Sequence, residues 1–109
     1  MSDQKPMTLE AILEKMQNNE FDAPKCHSYL LKIEQKIQAD MDSLFEGLGG
    51  GQIHEILSKI GYAKNYMNLV IETKGAMDFN NALKSIITQL SDILGLYRKS
   101  GVSTQLIKE

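Results

Sequence analysis

The chain has 109 residues, the length of one domain, and can bury one core without disulfides or a structural metal. Its 42% hydrophobic and 24% charged residues are ordinary globular usage, which argues against wholesale disorder. The formal charge of −2 divides into −4 over residues 1–50 and +2 over residues 51–109, and neither half has the basic density of a protein that tracks phosphates.

Trp is absent and aromatics are 6%, so the core must rest on Leu, Ile and Met, a mixture that suits helices. The single cysteine, Cys26, leaves no intramolecular disulfide and fits a reducing compartment. The opening MSDQKPMTLE lacks the apolar stretch of a signal peptide, and no apolar run reaches about 18 residues. Nothing is therefore expected to cross a membrane, and the expected location is cytoplasmic.

Residues 1–7 read as a disordered leader. Thr8 suits a helix N-cap, and Leu9, Ile12, Leu13 and Met16 follow at i, i+3, i+4 and i+7, one face of a short helix. Polar Gln17, Asn18 and Asn19 end it, and a helix this short must dock to persist. Asp22 caps a second, long helix over roughly 23–46, with Pro24 in the first turn, where a missing N–H costs nothing. Its stripe is Cys26, Leu30, Ile33, Ile37, Met41, Leu44 and Leu48, and Gly47, Gly49, Gly50 and Gly51 stop it and form a flexible hinge. Asp40, Asp42 and Glu46 crowd its last turns, the unfavourable end for acids unless a basic partner relieves them.

A third helix over about 52–74 carries Ile53, Leu57, Ile60, Ala63, Met67 and Val70, with Tyr62, Tyr66 and Leu69 as a second stripe alongside. Lys74 and Gly75 read as its stop. Asp78 caps the fourth helix, about 79–99, where Phe79, Leu83, Ile86, Leu90, Ile93 and Tyr97 alternate spacings of four and three. Arg98 and Lys99 favour its C-terminus, Gly101 ends it, and 102–109 form a tail carrying Leu106 and Ile107, free to dock or to fray. Short links favour antiparallel neighbours. The expected fold is all-α, an antiparallel helical bundle over 8–101 with three long helices and a short N-terminal helix laid across one end or side.

The fourth helix is unusual in its charge. Between Phe79 and Tyr97 only Lys84 and Asp92 are charged, and the face Asn81, Ser85, Thr88, Ser91 and Gly95 is small and neutral. Ile87 and Leu94 lie beside its seam. A helix facing water carries more charge than this, so cover on two sides is expected, from the second and third helices or from another subunit.

Candidate chemistry is sparse. The glycine cluster precedes a helix, but Gln52-Ile53-His54 stands where a phosphate-binding loop needs Lys and Ser or Thr, and a helix precedes it instead of a strand. Cys26 and His27 are adjacent on a helix and so point about 100° apart, not at each other. His54-Glu55 lacks the second His of the zinc-protease pattern, since position 58 is Ser, and Leu57 and Ser58 depart from the histidine-phosphotransfer pattern of Lys then Gly. The carboxylates form no paired arrangement. No metal, cofactor or catalytic role is expected.

The stretch Gly50-Gly51-Gln52-Ile53, opening an amphipathic hairpin that runs to Leu96, resembles the later helices of flagellar export chaperones. The hairpin 62–97, ending Ile93-Leu94-Gly95-Leu96, is similar to the oligomerisation hairpin of phage small terminase subunits. Each likeness covers under half of the chain and transfers no functional residue.

The expected function is therefore a non-enzymatic protein–protein interaction module: an adaptor, export-type chaperone or assembly subunit. It would meet a protein partner, or itself, through the fourth helix or the groove under the first. The candidate contact residues are Tyr62, Tyr66, Asn81, Ser85, Thr88, Ile87 and Leu94. The alternative is an oligomeric nucleic-acid-handling subunit of phage or mobile-element type that uses Arg98 and Lys99.

Overall fold

The computed structural model describes residues 7–74 and 77–106 and is all-α. Its helices are α1 (Leu9–Gln17), α2 (Ala23–Ala39), α3 (Met41–Gly47), α4 (Gly50–Glu72) and α5 (Phe79–Ser100). The expected leader falls on residues 1–6, outside the described residues, whereas Met7 is half-buried against the core.

The helix starts follow from short polar side chains. Thr8 Oγ1 accepts the Ala11 N–H at 3.1 Å and Asp22 Oδ1 accepts that of Lys25 at 2.9 Å. Asp78 Oδ1 takes the Asn80 N–H at 2.9 Å. The end of α1 is equally local: Asn19 sits at φ 58°, Asn19 N–H bonds to Met16 O, and Glu20 N–H bonds to Lys15 O. That is a Schellman closure with asparagine, the residue after glycine best suited to the left-handed region, at its turning point.

The long second helix of the sequence reading is in fact two, α2 and α3, broken at Asp40. Asp40 sits at φ −91°, ψ 2°, outside helical geometry. Its carboxylate Oδ2 receives Lys36 Nζ at 2.8 Å and the Tyr97 hydroxyl, also at 2.8 Å. Lys36, only 3% exposed, also lies 5.2 Å from the centroid of the Tyr97 ring. The apolar spacing continues through the break, so Leu44 and Leu48 remain buried, and periodicity alone does not reveal it.

The glycine cluster is tighter than a flexible hinge. Gly50 and Gly51 already belong to α4, Gly49 is its N-cap, and buried Leu48 leaves little slack before it. Gln52 Oε1 accepts the Gly49 N–H at 3.2 Å. Gly47 is required for another reason: a Cβ there would lie 2.7 Å from the carbonyl oxygen of Ser100, at the end of α5. At the far end of α4, Thr73 is the C-cap and Lys74 takes the left-handed turn at φ 51°. Gly75, expected to share that stop, lies outside the described residues.

The helices pack in a chain, α2 on α4 and α4 on α5, and α1 closes across α5 and α2. The result is a slab of 42 × 42 × 21 Å with a continuous core reaching from Leu9 to Leu106. The tail docks. Leu9 N–H donates to Thr104 O at 2.9 Å and Leu106 N–H to Met7 O at 2.8 Å. Thr104 Oγ1 donates to Glu10 Oε1 at 2.6 Å, and Arg98 Nη2 reaches Glu10 Oε2 at 3.3 Å. The Thr104 hydroxyl, aided by Arg98 and opposed by burial, holds the Glu10 carboxyl below its ordinary value of 4.5.

Removing Asp40 strands a buried ammonium, so Asp40→Ala should cost about 3 kcal/mol. Tyr97→Phe, which loses one hydroxyl donor and keeps the ring, should cost about 1 kcal/mol. Urea unfolding measures both, and equal costs would show that Lys36 does not depend on Asp40. Because the Glu10 pKa is depressed in the folded chain, its contribution is present above pH 4.5 and is lost as pH falls through the folded value. Acid unfolding should therefore be less steep over that window for Glu10→Gln; an unchanged profile would contradict the assignment.

Candidate functional site

Helix α4 must present more than one apolar stripe, because its residues Tyr62, Tyr66 and Leu69 recur at i, i+4 and i+7 beside the core stripe. The core stripe is buried from Ile53 to Val70 except at Leu57, which is 39% exposed while Ile56 takes the inward position; Tyr62 is 49% exposed and Leu69 48%. The Tyr62 and Tyr66 rings meet edge to face with centroids 5.7 Å apart. Together with Asn65 and Leu69 they line a shallow depression of about 270 Å³.

Helix α5 runs antiparallel beside this stripe. Lys59 Nζ lies 3.1 Å from Asp92 and 3.5 Å from Gln89 Oε1, and Tyr62 Oη lies 3.4 Å from Ser85 Oγ. Ser85 thus joins the tyrosine patch, with Asn81 and Thr88 exposed one turn to either side of it. Ser58, Tyr62, Asn65, Tyr66, Leu69, Asn81, Ser85 and Thr88 form an uncharged patch, bordered along the α4–α5 seam by the ion-paired Glu55, Lys59 and Asp92. This is the neutral face of the fourth helix expected from the sequence, and within one chain it is left uncovered. The cover expected for it from the second and third helices is not supplied within the chain; α4, α1 and α3 pack on other sides of α5.

Ile87 and Leu94 are not part of this surface, which corrects their grouping with Tyr62. Seven residues apart on one helix, both turn towards the α1 side: Leu94 is buried and Ile87 lines a cleft with Met16 and Leu83. Leu69 and Asn65 belong to the patch but were not singled out as contacts, although their i+3 spacing from Tyr66 and Tyr62 carried the signal. Phe45 on α3, Leu31 on α2 and Leu57 on α4 are also exposed, and none of them lines the depression.

The remaining candidates are dispersed. Arg98 is engaged with Glu10, while Lys99 is exposed about 100° further round α5, so the two cations do not act as one pair. Lys108 lies outside the described residues. Cys26 is fully buried, and burial, with the Asp22 charge in second place, pushes its thiol up to about 11. His27, its neighbour, is half-buried. Ser58 Oγ lies 3.4 Å from His54 Nε2 on the exposed side of α4. Among the described residues no three of His, Cys, Asp or Glu gather where a metal would be held. Among them, too, no helix is long and apolar enough to cross a membrane.

Comparison of the chain with protein-family models, with curated proteins and with solved structures returned no match.

The buried, protonated thiol should ignore aromatic disulfide reagents in the native state at pH 8 and react fully in denaturant. Stoichiometric modification of the folded chain within minutes would show that Cys26 is reachable.

Proposed function

We propose that the protein is a non-enzymatic interaction module, an assembly subunit that pairs with a second copy of itself through the outer face of α4 and α5. The observation that carries this reading is the exposed apolar depression of Tyr62, Tyr66 and Leu69, whose lining residues carry no charge. Tyrosines with a wet hydroxyl and an apolar body are well suited to protein contacts.

A second copy is the occupant that the electrostatics favour. In a two-fold contact each patch meets itself, so any charge at its centre would face its own like. The chain carries a formal −2, and this neutral face lets two copies approach without opposing like charges. At 1.5 Å per residue the two helices lie side by side for about 30 Å, and the Lys59–Asp92 pair within that length carries opposite charges that neutralise each other beside the tyrosine patch. The nucleic-acid alternative is weaker, because Arg98, one of its two cations, is already engaged with Glu10.

Size-exclusion chromatography with light scattering tests the proposal. At about 0.1 mM the chain should elute with twice its mass of 12.2 kDa. Tyr62→Glu with Leu69→Glu should return it to the single mass with its helical spectrum intact, while Leu31→Glu on α2 should leave the pair unchanged. A single mass for the unmodified chain at that concentration would overturn self-association.

A further inference from the structure

A different surface, the groove closed by α1, carries a second kind of recognition. Helices α2 and α5 each pack on α4 and on α1 rather than chiefly on one another. Lifting α1 away would leave a trough one helix wide between them. Leu9, Ile12 and Met16 fill that trough at i, i+3 and i+7, the pattern by which amphipathic helices are bound in grooves.

Two features distinguish α1 from a permanent member of the core. It is nine residues long, below the length at which a helix persists alone, so its helicity depends on being held. Beside its buried Leu9, Ile12 and Met16, it is held by the C-terminal strap, through Leu9 to Thr104, Leu106 to Met7 and Glu10 to Thr104, and by Arg98 of α5. Its fit is also incomplete. A cleft of about 350 Å³ opens where α1 stops, with Met16, Leu83 and Ile87 as its apolar lining and Asn19, Asn80 and Lys84 among its polar rim. A helix carried one turn further would place positions 19 and 20 over Leu83 and Ile87, but α1 ends there in a turn with Asn19 and Glu20.

We propose that the α2–α5 groove is a helix-receiving site of which α1 is the built-in, strapped occupant. The partner is an amphipathic helix at least one turn longer than α1, with aliphatic residues at i, i+3, i+7 and i+10 or i+11. Such a helix reproduces the Leu9, Ile12 and Met16 contacts and adds one against Leu83 and Ile87. The attached α1 competes at high effective concentration, so the strap sets the threshold for entry.

Two measurements on the full chain test this. In native-state hydrogen exchange, the amides of Ile12–Gln17 should exchange at least about ten-fold faster than those of α4 and α5. Glu10→Ala with Thr104→Val should speed the α1 amides further and leave the others unchanged. The binding probe is a fluorescent peptide of residues 8–23 bearing Asn18→Ala, Asn19→Leu and Glu20→Leu. It should bind the strap-weakened chain about ten-fold or more tighter than the unmodified chain, and lose that affinity when Ile87→Asp is added. Exchange of α1 only together with α4 and α5 in the unmodified chain would overturn the proposal. Absent binding, or binding indifferent to Ile87→Asp, would also overturn it. A strap-weakened chain that dimerises by exchanging α1 and ignores the peptide would assign the groove to a second copy instead, and likewise overturn it. A single mass for the unmodified chain would defeat the α4–α5 reading and leave this test untouched.

Discussion

Asp40, at the edge of the core, receives the buried Lys36 ammonium and the Tyr97 hydroxyl on one carboxylate oxygen, each at 2.8 Å. Much of the fold is arranged around this knot. It holds the end of α2 against the last turns of α5, and the chain turns there into α3 instead of running on straight. The turn brings Gly47 against the Ser100 carbonyl at a distance no other residue tolerates, and α4 starts at once beyond it. A buried ammonium is costly unless it is paired, so Lys36 depends on Asp40, and the Tyr97 hydroxyl adds a second donor to the same carboxylate. Burial and the neighbouring carboxylate also push the Tyr97 hydroxyl well above the usual phenol range, which keeps it a donor.

The same helix, α5, divides the molecule's surfaces. Its inner seam belongs to the core, and its flank towards α1 carries Leu94 and Ile87. Its flank towards α4 carries Ser85 and adjoins the tyrosine patch. One helix can serve all three because 3.6 residues per turn places neighbours in sequence on different faces. This explains why residues grouped in the sequence by their low charge part company in space. Asn81, Ser85 and Thr88 stay together; Ile87 and Leu94 go elsewhere.

Both proposed surfaces follow from a shortage of cover. A slab 21 Å thick has little interior relative to its faces, so α4 cannot bury both of its apolar stripes within one chain. At the opposite edge, the closing helix is too short to fill the groove it sits in, and the chain compensates by tying it with its own tail. The paired termini act where α1 itself has no length to spare.

The sequence by itself determined the class of the fold, the helices and most of their ends. Apolar spacing near 3.6 and the caps Thr8, Asp22 and Asp78 depend on residues a few positions apart, and such local effects are written in order along the chain. Gly101 at φ 80° was legible for the same reason. The exposed stripe of Tyr62, Tyr66 and Leu69 was visible as a second face, but its openness to solvent was not, because burial depends on how many neighbours the whole bundle supplies. Only the tertiary structure decided the break at Asp40, the need for glycine at 47 and the docking of Thr104 and Leu106 on α1. Each of these rests on groups more than 50 positions apart, Asp40 with Tyr97, Gly47 with Ser100, Glu10 with Thr104. No periodicity records which distant residue will arrive, and that is settled only when the helices pack.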